Sequence, residues 1–241
     1  MTEFRPSRFE ILPTIVKNLL IINGLFFLAQ QVFSGPSAPF SLEDSLALHA
    51  WQSTLFRPWQ LVTHLFLHGD FGHILGNMFA LWMFGSVLEN IWGAKRFLTF
   101  YLVCGLGAAF IHLLFLSYEL LPLIRDYDLI QSGKIALDPI SMEKSLDYIQ
   151  QRVNTATIGA SGAVFGILAA FVYLFPNTYI YIYFLVPIKA KWIGLIYFGY
   201  EFFFALRNSA GDNVARWAHI GGALVGLLIV LTWNKNSKKS F

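Results

Sequence analysis

Six stretches of apolar sequence, at about 11–33, 71–91, 97–121, 156–175, 192–207 and 216–233, decide what this chain can fold into. A helical run of about 20 apolar residues matches the hydrocarbon core of a bilayer, since each residue adds about 1.5 Å. Inside hydrocarbon no water satisfies a backbone N–H or C=O, so such runs become helices. Composition agrees: 56% of residues are hydrophobic and 13% charged, where soluble domains carry about a quarter charged. We therefore expect an all-α fold, a polytopic membrane bundle of six transmembrane helices over residues 11–233. A short cytoplasmic tail, 1–10, precedes it, and a basic cytoplasmic tail, 234–241, follows. The fifth stretch is short, and Pro176 and Pro187 frame the connection before it. The aromatic piece at 179–186 suits the membrane interface better than its interior. The first stretch lacks a small-residue cleavage site and reads as a signal anchor.

Other classes are closed off quickly. One cysteine, Cys104, leaves no intramolecular disulfide framework and no Cys-rich metal site. A net charge of +3 gives nucleic acid no footing. With the N-terminus inside, ten of the 17 Lys and Arg fall on the cytoplasmic side, among them Arg5, Arg8, Lys95, Arg96 and Lys239. The acids favour the opposite loops, from Glu43 and Asp70 to Asp212.

In that topology the second, fourth and sixth helices enter from the outer side. Ser161, in Gly-Ala-Ser-Gly, lies about five residues into the fourth, and His219, in Ala-His-Ile-Gly-Gly, about three into the sixth. His73 and Asn77 open the second. At 1.5 Å per residue all four lie within about 10 Å of the outer surface. A lone serine is a poor nucleophile and needs a base within reach, which His219 supplies. His73 and Asn77 are i and i+4, so they project from one face, and both can donate to a developing oxyanion. The Ser161 amide is a third donor. Phe165, one turn beyond Ser161, is in reach of an imidazole face. Gly162 and Gly166 on one helix, and Gly222 and Gly226 on the other, are small-xxx-small faces that allow close packing. With no acid at the depth of His219, a Ser–His dyad is expected and not a triad.

Each element has a plainer reading. Glycine faces commonly only pack helices, Ser161 alone bonds a carbonyl one turn back, and His219 alone is as well read as an interface residue. Their conjunction on separate helices is what favours catalysis. His64 and His68 have Leu65 where a zinc metalloprotease helix needs its glutamate. Ala163 stands where a nucleophile elbow needs glycine. His68 sits at the mouth of the site, and His49 and His112 read as packing or interfacial residues. Glu201, an acid inside the fifth stretch, either bonds another helix or lines a hydrated path.

Taken together, His68, His73 and Asn77, the Gly-Ala-Ser-Gly around Ser161 and the Ala-His-Ile-Gly-Gly around His219 resemble a rhomboid intramembrane serine protease of the basic six-helix bacterial form. The resemblance covers about residues 50–230, with Glu89, Gly93, Arg96 and Phe97 matching the loop motif after the second helix. It implies cleavage of single-span transmembrane proteins near the outer membrane boundary, with Ser161 as nucleophile, His219 as base, and His73 and Asn77 assisting the oxyanion. It implies no cofactor or metal, partners limited to those substrates and membrane lipid, and a multi-pass home in a bacterial plasma membrane. The compact layout and the lack of a transit-like leader point the same way. The chain departs from the family at Trp59-Gln60, where the family has Trp-Arg, and in a long acidic third loop at about 122–155. The bulky fifth helix, with Phe202 and Phe203, is expected to serve as a movable side gate. The rival reading is a non-catalytic membrane protein, a rhomboid-like binder or a small transporter. A transporter would be expected to show internal repeats, and none is evident.

Overall fold

A computed structural model of the chain describes residues 9–33, 40–182, 185–207 and 214–238. Expectations resting on Arg5, Arg8, Asp212 and Lys239 fall outside the described residues. In chain order the elements are α1 (Thr14–Phe33), α2 (Phe71–Trp92), α3 (Ala94–Gln131), α4 (Pro139–Val153) and α5 (Ser161–Leu174). A hairpin follows, β1 (Tyr179–Ile182) and β2 (Val186–Lys189), and then α6 (Ala190–Arg207) and α7 (Arg216–Lys238). Short helical turns at Leu42–Leu46, Gln60–Thr63 and His64–Phe66 build the loop between α1 and α2. The fold is an all-α membrane bundle, and each of the six apolar stretches is helical.

The helix ends are set by local chemistry. Pro13 precedes α1, whose first free amides at Ile15 and Val16 both donate to the Glu89 carboxylate at 2.8 Å. An acid at the end of α2 thus caps α1 from across the bundle, satisfying donors that a helix start leaves open. Asp70 caps α2 by accepting from the His73 amide at 2.8 Å. Gly93, at φ 78°, ends α2 and lets α3 turn back directly. Inside α2 the turn Leu81–Gly85 is π-helical.

Among the described residues four helices, α1, α2, α3 and α7, are long and apolar enough to cross a membrane. Helix α5 is apolar but has 14 residues, a rise of about 21 Å against a core of about 30 Å. The long third loop is largely helical: α3 runs on to Gln131, the chain turns at Gly133 with φ 69°, and α4 returns behind an Asp138 cap with Pro139 in its first turn. The piece expected at the interface folds as an antiparallel hairpin pairing Tyr179 with Lys189 and Ile182 with Val186.

Helix α5 is the centre of the bundle, buried from 162 to 171 and packed against α3 and α7. Lipid is as apolar as these side chains, so close packing is what holds the helices together. The glycines allow it. A Cβ on Gly226 would lie 2.6 Å from the Gly166 carbonyl oxygen, and one on Gly166 would lie 2.6 Å from Cys104 Sγ. A Cβ on Gly222 would run into the Gly162 carbonyl. The expected small-residue faces therefore meet backbone to backbone, and they set α5 and α7 at the separation the site requires.

Candidate active site

Ser161 is the first residue of α5, and no side chain caps that helix end. Its approach is fixed by Gly159, whose φ of 129° is open to glycine and strained for any other residue. The Gly159 amide donates to the His64 carbonyl at 2.9 Å, and Leu48 pairs with Thr157, so the first loop is stitched to the segment before Ser161. His219 lies one turn into α7, buried, with its ring stacked on Phe165 at 4.2 Å between centroids and 8° between planes. Its Nε2 stands 2.8 Å from Ser161 Oγ. The serine, the histidine and the aromatic shelf expected from sequence are thus brought together.

On the other ring nitrogen the structure corrects an expectation. Glu201 of α6, 4% exposed, places Oε2 3.0 Å from His219 Nδ1. The same oxygen accepts from Arg216 Nη1 at 3.3 Å. A carboxylate only accepts, so Nδ1 carries the proton and Nε2 presents a lone pair to the Ser161 hydroxyl. The acid judged absent is present because Glu201 sits six residues from the Arg207 end of α6, the end adjoining the start of α7. About 9 Å of helix rise separates it from that end, close to the depth of His219. Of the two readings open for Glu201, bonding to another helix is the one observed. The signal available in sequence was the pair Arg216 and His219, i and i+3 on one face and both able to grip an acid.

His73 stands on the opposite side of Ser161. Its Nδ1 accepts from the Gly69 amide at 3.3 Å, which leaves Nε2 as the protonated donor of a neutral ring. That nitrogen faces the backbone beside Ser161: a Cβ on Gly159 would lie 2.8 Å from it and 3.5 Å from Ser161 Oγ. Asn77, one turn on, is buried, and its Nδ2 has no hydrogen-bond partner among the described residues. A buried amide without a partner costs about 1–3 kcal/mol, so an idle donor on the face shared with His73 asks for an acceptor. The open amides at the start of α5 add to these.

The sequence reading missed the scaffold. Gln60, fully buried, accepts from the Arg57 amide at 3.0 Å and donates to the Leu55 carbonyl at 2.9 Å, organising the first loop where the family has arginine. Trp59 donates its indole N–H to the Ser45 carbonyl at 2.9 Å. Gln30 of α1 holds the His68 backbone from both sides, accepting from its amide at 2.9 Å and donating to its carbonyl at 3.2 Å. His112 pairs with Thr157 at 2.9 Å, and His49 Nδ1 lies 3.1 Å from the Ala47 carbonyl. His68 keeps both ring nitrogens buried, with its ring edge-on to His73 at 5.0 Å. Burial pushes His64 and His68, both in the first loop, down to about 4, so each is neutral at physiological pH.

Comparison with known proteins agrees with this architecture. The rhomboid domain family matches residues 56–236. The chain is 27% identical over 229 residues to RHOMBOID-like protein 12, mitochondrial, of Arabidopsis thaliana, covering 94% of this chain and 60% of that protein. It is 25% identical over 174 residues to Rhomboid protein 1, mitochondrial, of Saccharomyces cerevisiae, covering 70% of this chain and 40% of that protein. It is 28% identical over 228 residues to Rhomboid protease AarA of Providencia stuartii, covering 89% of this chain and 70% of that protein. These likenesses correct the expectation of a bacterial plasma membrane, because the Arabidopsis and yeast relatives are mitochondrial proteins. The compact layout does not discriminate, since mitochondrial and bacterial relatives share the matched region; a multi-pass membrane protein remains what the helices support. With the family match spanning three quarters of its length, the chain belongs to the rhomboid family of intramembrane serine proteases.

Proposed function

We propose that this protein cleaves single-span transmembrane proteins within a mitochondrial membrane, near one membrane boundary, using Ser161 as nucleophile and His219 as base. The observation that carries the reading is the 2.8 Å approach of Ser161 Oγ to His219 Nε2, with the opposite ring nitrogen already protonated. As Oγ attacks the peptide carbonyl, its proton passes to Nε2. The oxyanion forms against the His73 Nε2–H, the Asn77 amide and the Ser161 backbone N–H, donors fixed before the reaction and needing no reorganisation. The imidazolium then protonates the leaving amine. Water, deprotonated by the same Nε2, attacks the acyl-enzyme, and as the bond to Oγ breaks the imidazolium returns that proton to Oγ.

The shortness of α5 supports the membrane setting: a helix of about 21 Å cannot reach both surfaces, so its serine end is recessed, with the first loop above it as the route for water. A substrate helix arrives laterally and has to unwind locally, because its carbonyls are engaged in its own hydrogen bonds. Helix α6, exposed at Phe202 and Phe203, is the proposed side gate.

The test is cleavage of a single-span reporter by the purified chain in lipid vesicles, beside Ser161→Ala and His219→Ala. The reading predicts cleavage by the native chain and none by either variant, with helicity retained in both. Cleavage by Ser161→Ala at the native rate would overturn it.

A further inference from the structure

A Ser–His pair alone leaves a buried acid of α6 without a task. Glu201 is a buried acid in an apolar helix, and such groups are costly enough that they are kept for a purpose. We propose that Glu201 is a positioning residue for the reaction, holding His219 in the Nδ1–H tautomer with Nε2 aimed at Ser161. This rests on the Ser–His reading above.

Among the described residues three contacts hold the imidazole, and they do different things. The Phe165 stack, at 4.2 Å and 8°, fixes the plane of the ring. It is indifferent to a half-turn about Cβ–Cγ, which would exchange each nitrogen for a carbon, and indifferent to which nitrogen carries the proton. The Ser161 hydroxyl can donate or accept, so it does not choose a tautomer either. Only the Glu201 carboxylate distinguishes these states, since it accepts from Nδ1–H and has nothing to donate. When Nε2 takes the serine proton, the Nδ1 proton stays on the ring, and the imidazolium forms beside a negative charge in a water-poor setting. No proton moves to Glu201.

A simple tie between α6 and α7 is the competing account, and the geometry argues against it. Arg216 already joins the two helices through Oε2 at 3.3 Å and lies over Tyr200 and Phe204 of α6 at 5.3 and 5.1 Å. The shorter contact of that oxygen, 3.0 Å, goes to the histidine. Arg216 and His219 share one face of α7, so the guanidinium compensates the carboxylate while leaving its lone pairs aimed at Nδ1. Helix α6 cannot swing away from α7 without releasing the ring.

The experiment uses the full chain in lipid vesicles, native and as Glu201→Gln and Glu201→Asp. It measures kcat and KM on a single-span reporter, the rate of fluorophosphonate labelling, the ¹⁵N spectrum of the His219 ring, and thermal stability. Glu201→Gln keeps the shape but offers an amide that can face Nδ1 with either end. A triad acid changed to its amide costs about 10⁴-fold in kcat, so kcat should fall about 10-fold or more with KM within about threefold, and labelling should slow in parallel. The His219 spectrum should pass from a single Nδ1–H tautomer to a mixture, and Glu201→Asp should recover part of kcat. A Glu201→Gln protein with native kcat and labelling rate would overturn the inference and leave the Ser–His reading standing. So would a loss of stability with unchanged kcat per folded molecule. A native chain that never labels would remove both. Should Glu201→Gln fail to fold, the native spectrum still decides: Nδ1–H supports the inference, and Nε2–H overturns it.

Discussion

Adding one methyl group at Gly222, on the face of α7 that packs against α5, should disable the site. A Cβ there would lie 2.7 Å from the Gly162 carbonyl carbon and closer still to its oxygen. Ordinary carbon contacts begin at about 3.5 Å, so α7 has to back away from α5 by about 0.8 Å or more. Ser161 immediately precedes Gly162, and His219 lies three residues before Gly222. The same movement therefore stretches their 2.8 Å contact to about 3.6 Å, beyond a useful O–H···N hydrogen bond. A displacement of about 1 Å in a reacting pair can cost about 100-fold in rate. Alanine gains about 1 kcal/mol over glycine in a helix interior, while overpacking costs about 1–3 kcal/mol, so the variant should also be slightly destabilised. Gly24→Ala on α1 is the matched control, since its Cβ meets nothing within 4 Å. The assay is the rate of fluorophosphonate labelling with the melting temperature in the same lipid. Gly222→Ala should label about 100-fold more slowly and melt no higher than the parent, with Gly24→Ala unchanged in rate. A Gly222→Ala protein that labels at the native rate and melts higher would refute the backbone-contact argument.

Gly159→Ala meets two obstacles, a φ of 129° and a Cβ 2.8 Å from His73 Nε2, so it should abolish labelling; a native rate would show the approach to Ser161 to be looser than described. Asn77→Ala removes an idle donor, and kcat should fall about 100-fold at unchanged stability, whereas an unchanged kcat would remove Asn77 from the oxyanion site. Glu89→Ala strips two amides of their acceptor and should cost about 2 kcal/mol without changing kcat per folded molecule, read from melting in lipid. His64 and His68 are held neutral down to about 4, against 6.5 unfolded, so below 6.5 the unfolded chain binds protons that the folded chain does not. Stability should therefore fall as pH drops from about 6.5 towards 4, and a melting temperature flat from pH 6.5 to 5 would contradict that burial.

Much of this was legible in the sequence, and the gaps have physical reasons. Apolar length located the helices, and the i, i+4 pairs located the glycine seam and the face carrying His73 and Asn77, because both depend only on neighbours along one helix. Glu201 escaped because its relation to His219 depends on where α6 ends, and element ends are the least certain part of a periodicity argument. Gln60, Gln30 and Glu89 act on backbone groups many residues away, and no local pattern announces an amide or acid of that kind. The third loop read only as long and acidic because α4 is amphipathic and mostly exposed, so its helix shows in its Asp138 cap and Pro139 more than in hydropathy. The mitochondrial likeness lies in no single motif and came only from comparison with relatives.

The central claim is that Ser161 is a nucleophile activated by His219. It is tested most directly by treating the purified, folded chain in lipid with a fluorophosphonate and mapping the adduct by mass spectrometry, beside Ser161→Ala and His219→Ala. The account predicts one adduct, on Ser161, absent from Ser161→Ala and strongly reduced in His219→Ala. Equal labelling of the native chain and Ser161→Ala, or no labelling of the folded native chain, would contradict it.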